Sequence, residues 1–127
     1  MSPPGGADYT SIYSASDELV EPQLPTSTSA LNGASNVLVQ SVCPNHPVNH
    51  VALMRDPVVY ALAIDALTHK GGADPSRIDP TVCAQEVIPG VDPTAQFNAE
   101  YWYGYSFTDD SANYNVTEEP PVRAYAK

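Results

Sequence analysis

Two acidic residues, Asp17 and Glu18, stand side by side in the Ser/Ala-rich turn "YSASDELVEPQ", and a histidine, His50, closes the proline-punctuated run "CPNHPVNH". A carboxylate and an imidazole brought together can act as a charge-oriented general base. The carboxylate fixes the ring tautomer through one nitrogen, and the other nitrogen takes a proton from a hydroxyl nucleophile. Asp17 and Glu18 are rival candidates for that carboxylate. Each residue also has a plainer reading: an Asp in a turn bonds its own backbone, and His50 could be a solvated loop histidine. His46 reads as a surface-loop histidine and His69 as a cation at a helix C-terminus. A His46–His50 metal pair would need both on one helix face, which Pro44 and Pro47 forbid.

Chemistry between Asp17 and His50 requires two chain segments that end near each other. Residues 9–14 read as a strand, followed by a long loop over 15–36, rich in Ser, Thr, Pro, Asn and Gly. Residues 37–42 (VLVQSV) read as a second strand, bounded upstream by Gly33 and Asn36. Each strand would then be followed by one candidate group, and in open α/β sheets functional groups collect beyond the carboxyl ends of the strands. Asp56-Pro57 is a helix start, with Asp as N-cap and Pro at the first helical position. An apolar stripe of Val58, Val59, Leu62, Ala63, Ala66 and Leu67 predicts a helix over 57–69. Lys70 and Gly71-Gly72 supply its stop. Further on, "ADPSRIDPTVC" contains two Asp-Pro turns, and Asp92-Pro93 opens a possible short helix over 94–102. Tyr101, Trp102, Tyr103, Tyr105 and Phe107 form an aromatic cluster expected to pack on the body, ahead of an acidic, Pro-rich tail.

Composition narrows the partners. The chain has 127 residues, enough for one domain, and a net charge of −10. Its five basic residues, at 55, 70, 77, 123 and 127, form no patch, which argues against nucleic acid and against an anionic membrane surface. No apolar run is long enough to span a bilayer. The first ten residues have neither the basic nor the apolar region of a signal peptide. Cys43 and Cys83 are not in C-x-x-C spacing, so redox and zinc readings are weak. A disulfide and two buried thiols both remain open. Low lysine, the sequon Asn115-Val116-Thr117 and abundant Ser, Thr and Pro favour a secreted chain with a disulfide.

Three blocks taken together, "YSASDELVEPQ", "GASNVLVQSVCPNHPVNHVAL" and "ADPSRIDPTVC", resemble the C-terminal part of the secreted triacylglycerol lipases of the Candida antarctica lipase B type, over residues 9–95. The resemblance implies an α/β-hydrolase fold, of which this chain would hold the C-terminal portion: about two parallel strands, one strong helix and long loops. It implies Asp17 as the triad acid and His50 as the triad base. It implies a disulfide between Cys43 and Cys83, and a substrate pocket lined by Leu19 and Val20. The implied activity is hydrolysis of carboxylic esters, with a lipid or ester as partner and no metal or organic cofactor. The implied location of the parent protein is extracellular. Residues 96–127 would be an aromatic, acidic and Pro-rich extension outside the resemblance.

The sequence also departs from that family. No G-x-S-x-G-like nucleophile elbow occurs; the nearest string, Gly33-Ala34-Ser35-Asn36-Val37, follows Asp17 and leads into a strand. Asn49 stands where relatives often carry an acidic residue. A family member is about twice as long. The chain alone is therefore expected to be inactive and, with one sheet edge uncovered, marginal or self-associating. An upstream segment carrying the serine would bind it. The alternative reading is a non-catalytic remnant that binds lipid or a protein partner.

Overall fold

In a computed structural model, residues 6–92 and residue 121 are described. The chain divides into two units, Met1–Ala95 and Gln96–Lys127. The helix expected over 94–102, the aromatic cluster, the sequon and the tail lie outside the described residues.

Two short strands, β1 (Thr10–Tyr13) and β2 (Ser35–Leu38), pair in parallel, with Thr10 opposite Ser35 and Tyr13 opposite Leu38. In this register both strands end at the same level, so their carboxyl ends open onto one edge of the structure. The second strand is shorter than the sequence predicts. It begins at Ser35, and residues Val39–Val42 form a helical turn, α1. Val39 and Val42 have the β-branched stiffness that favours strands, but local turn bonds together with the longer-range bonds of Gln40 override it. The Ser41 hydroxyl donates to Leu38 O at 2.7 Å and Cys43 N–H donates to Val39 O at 3.1 Å. The turn also delivers the Gln40 amide to residues following β1.

The main helix, α2, spans Pro57–Thr68. Its start is as the sequence predicts. Asp56 is the N-cap, and its Oδ1 accepts from Val58 N–H at 2.9 Å and Val59 N–H at 3.1 Å. His69 is the C-cap rather than the last helical residue, and its N–H donates to Asp65 O. Beyond it, Gly72 has a positive φ of 83°, and a Cβ there would lie 2.8 Å from Thr10 Oγ1. Only glycine lets the chain leave α2 this close to β1. Ala73 N–H then donates to Thr10 Oγ1 at 3.0 Å, and Ser35 Oγ donates to Ala73 O. The two Asp-Pro turns form 3-10 segments, Pro75–Arg77 and Pro80–Ala84, capped by Asp74 and Asp79.

The core joins these elements. Val37, Val39, Cys43, Val48, Val58, Leu62, Ala73 and Val82 are buried together, with Ile12 packed against them. Cys43 and Cys83 form a disulfide, with Cα atoms 5.6 Å apart. Among the described residues, no helix is long and apolar enough to cross a membrane.

A second fastening lies at the end of α2. Arg77 donates to Asp65 through Nε at 2.8 Å and Nη2 at 2.7 Å, a two-pronged charge-assisted contact. Asp74 N–H also donates to Asp65, at 2.8 Å. The Arg77 guanidinium foremost, against the opposing effect of burial, holds the Asp65 carboxyl down to about 2 from its ordinary 3.8. A folded value below the unfolded one contributes stability that is complete above the unfolded value and lost as pH falls through the folded one. The urea midpoint is therefore expected to drop as pH falls from 3.8 to about 2. Arg77→Met should shrink the Asp65 part of that drop, leaving the share held by Asp74 N–H and His69. A midpoint that is flat across this window would contradict the assignment.

Candidate active site

Asp17 reaches its position through the turn that follows β1. Its N–H donates to Ser14 O at 3.2 Å, which bends the chain back as the strand ends. The side chain then accepts at Oδ1 from Leu19 N–H and Val20 N–H, both at 3.0 Å. This is the self-capping that a turn aspartate favours. The plain reading and the chemical one are thus compatible, because the same carboxylate that caps its turn also faces a histidine.

His50 arrives from the other strand. The chain leaves β2 through α1, is fastened at Cys43 by the disulfide and runs through a loop to His50. The His50 Nδ1 lies 3.1 Å from Asp17 Oδ1 and 3.0 Å from Oδ2. With Nδ1–H donating to the carboxylate, Nε2 is left on the opposite side of the ring as an acceptor. The Asp17 side chain is 5% exposed and that of His50 is 41% exposed. The acid is therefore shielded while the base is open to whatever approaches it. Burial pushes the Asp17 carboxyl up, but Val20 N–H, the His50 ring and Leu19 N–H outweigh it, and the net shift is downward. An ionised Asp17 can stabilise the imidazolium that forms when Nε2 takes a proton.

Glu18, the rival carboxylate, has a different task. Its Oε2 accepts from the backbone N–H of His50 at 3.2 Å. One acid holds the ring and its neighbour holds the main chain of the same residue. Leu19 is 40% exposed and Val20 is half-buried. Both meet the site through their backbone N–H groups. A groove of about 440 Å³ opens beside Asp17, lined by Ala15, Glu21, Pro22, Gln23 and Leu24 as well as the acid itself.

His46 differs from the sequence expectation of a surface-loop residue. Its side chain is 22% exposed, and its Nε2 lies 2.5 Å from Oδ2 of Asp56, the N-cap of α2. Burial of Asp56 draws the ring inward, because a buried carboxylate with a vacant oxygen needs a donor. His69 stands at the end of α2, with Nδ1 3.0 Å from Asp65 Oδ1. Each of the three histidines is thus matched with a different aspartate. Among the described residues, no group of three or more His, Cys, Asp or Glu side chains could hold a metal ion.

Parallel strands ending together, a capped helix packed behind them and an aspartate–histidine pair beyond their carboxyl ends make up a portion of a lipase-like α/β-hydrolase fold. The crystal structure of Aspergillus fumigatus lipase B is similar to 68% of this chain, with a TM-score of 0.62 and 33% sequence identity. The chain spans 23% of the length of that lipase. No family model and no curated protein matches it.

Proposed function

We propose that this chain supplies the acid and base of a Ser–His–Asp triad in a secreted lipase or carboxylesterase of the Candida antarctica lipase B type. The observation that carries the proposal is the placement of His50 Nδ1 within 3.1 Å of both Asp17 carboxylate oxygens. In this reading a serine from outside these 127 residues donates its proton to His50 Nε2 as its Oγ attacks the ester carbonyl. The alkoxide leaving group takes that proton back from the imidazolium and departs as the alcohol. Water, activated by the same nitrogen, then releases the acid from the acyl-enzyme. Asp17 keeps the ring in the productive tautomer throughout. The groove beside Asp17, together with Leu19 and Val20, forms part of the substrate wall, and no metal or organic cofactor takes part. The likeness to a lipase supports the ester substrate, and the disulfide is compatible with action outside the cell.

The test is reconstitution. The purified chain is expected to hydrolyse p-nitrophenyl butyrate no faster than buffer. Addition of a lipase segment carrying the serine elbow and its oxyanion donors should restore turnover. Hydrolysis by the chain alone, tracking the protein through a second purification, would contradict the proposal. Binding to ester-containing vesicles with no restored turnover would favour the non-catalytic alternative.

A further inference from the structure

Asp17 and His50 belong to two separate loops, and their hydrogen bond alone does not explain why the loops keep this spacing. A polar cluster behind the pair does. Ser14 is fully buried and stands at the end of β1, three positions before the acid. Its Oγ donates to Val48 O at 2.6 Å, which lies on the loop leading to His50. The same Oγ accepts from Ser16 N–H at 3.1 Å and from Gln40 Nε2 at 3.0 Å. A hydroxyl has one donor and two acceptor sites, and all three are used. Gln40 completes the connection. Its Nε2 also donates to His46 O at 2.7 Å, and its Oε1 accepts from Ala15 N–H at 2.9 Å.

We infer that Gln40 and Ser14 are positioning residues that lock the loop bearing His50 to the turn bearing Asp17. The inference rests on the reading of Asp17 and His50 as an acid–base pair. Neither residue hydrogen-bonds the Asp17 or His50 side chain. Gln40 spans the gap from a helical turn; a continued strand would have pointed its amide off one face of the sheet instead. Gln40 grips the Asp17 turn at Ala15 N–H and the His50 loop at His46 O, and Ser14 repeats that link through Val48 O. Ser14 is fully buried and its bond to Val48 O is shielded from water, so losing that bond is expensive, while the half-buried Gln40 adds two links between the same segments.

The test reads the pair directly in the 127-residue chain. In NMR spectra the His50 Nδ1 proton should give a resolved downfield signal, protected from solvent exchange by its bond to Asp17. In Gln40→Met, of similar length but with no donor, that proton should exchange about tenfold faster, the weight of one net hydrogen bond. In Gln40→Glu, which keeps the shape but places a carboxylate against His46 O and Ser14 Oγ, the signal should be lost. The Asp17 carboxylate, followed by its carbon resonance, should titrate closer to its ordinary value in both variants. The His69 signals should not move. If the Nδ1 proton is protected in the parent and unchanged in both variants, the positioning role is overturned while the pair stands. If the parent shows no such proton, the acid–base pair itself fails. Loss of the whole fold in both variants would make Gln40 a general stabiliser and also overturn the inference.

Discussion

In enzyme reconstituted with a serine-bearing segment, Asp17→Asn is expected to lower kcat by about four orders of magnitude, with KM little changed. The size of the effect follows from the geometry. An asparagine of the same shape would turn its amide N–H toward His50 Nδ1 and favour the ring form with its proton on Nε2. That form has no lone pair for the serine proton. The imidazolium also loses its buried counter-charge. Four decades correspond to about 5.5 kcal/mol of transition-state stabilisation, more than any surface ion pair supplies. His50→Ala should abolish turnover outright. Glu18→Gln should have little effect, because Glu18 serves as an acceptor for the His50 backbone N–H. A glutamine oxygen can accept the same bond, if more weakly, and leaves the ring's own partner untouched. Single-turnover rates with a p-nitrophenyl ester check all three. If Glu18→Gln is the damaging change and Asp17→Asn is silent, the acid has been assigned to the wrong neighbour.

The contrast between the two acids shows how far the sequence could be read. Asp17 and Glu18 are adjacent, of like charge and similar size, and nothing in their spacing from His50 separates them. The resemblance to lipases pointed to Asp17, and the folded chain gives each acid a partner on the same histidine. Elements with strong local signals were legible. Asp56-Pro57 and the stripe behind it marked α2 because cap, fixed proline φ and apolar period all agree there. The second strand was legible only in part. Its β-branched residues run to Val42, yet the chain turns at Val39, since what decides residues 39–42 includes bonding to Ser14 and to the His50 loop. Such long-range polar contacts leave no periodic trace. The same holds for His46, whose partner Asp56 is visible in sequence only as a helix cap. Ser14 could have been suspected, as a hydroxyl placed where a strand enters a tight turn. Gln40 could not, because a polar residue in an alternating strand reads as its solvent face.

Breaking the Cys43–Cys83 bridge is expected to cost about 4 kcal/mol of stability, the chain-entropy value for a loop of this length. The two cysteines are 40 residues apart in sequence. That closed loop holds His50, the Asp56 cap, all of α2 and the Asp65–Arg77 contact, so the bridge restrains the entire segment that must fold to present the histidine. Few short chains have stability to spare on this scale, since whole domains are stable by about 5–15 kcal/mol. The two sulfurs are not equivalent, and this separates the bridge from packing. Cys43 is 2% exposed and lies in the core, whereas Cys83 is exposed. Cys83→Ala should therefore reproduce the effect of reduction alone, a large fall in the urea midpoint, because little packing is lost with its sulfur. Cys43→Ala should cost about 1 kcal/mol more, for the buried sulfur that leaves a small void. Thiol titration of denatured, unreduced protein should find no free thiol in the parent and one in each variant. If Cys83→Ala left the urea midpoint where it was, stability would come from the core around Val37, Val58 and Leu62 rather than from closing the loop. The covalent tether behind His50 would then be dispensable for holding the site together.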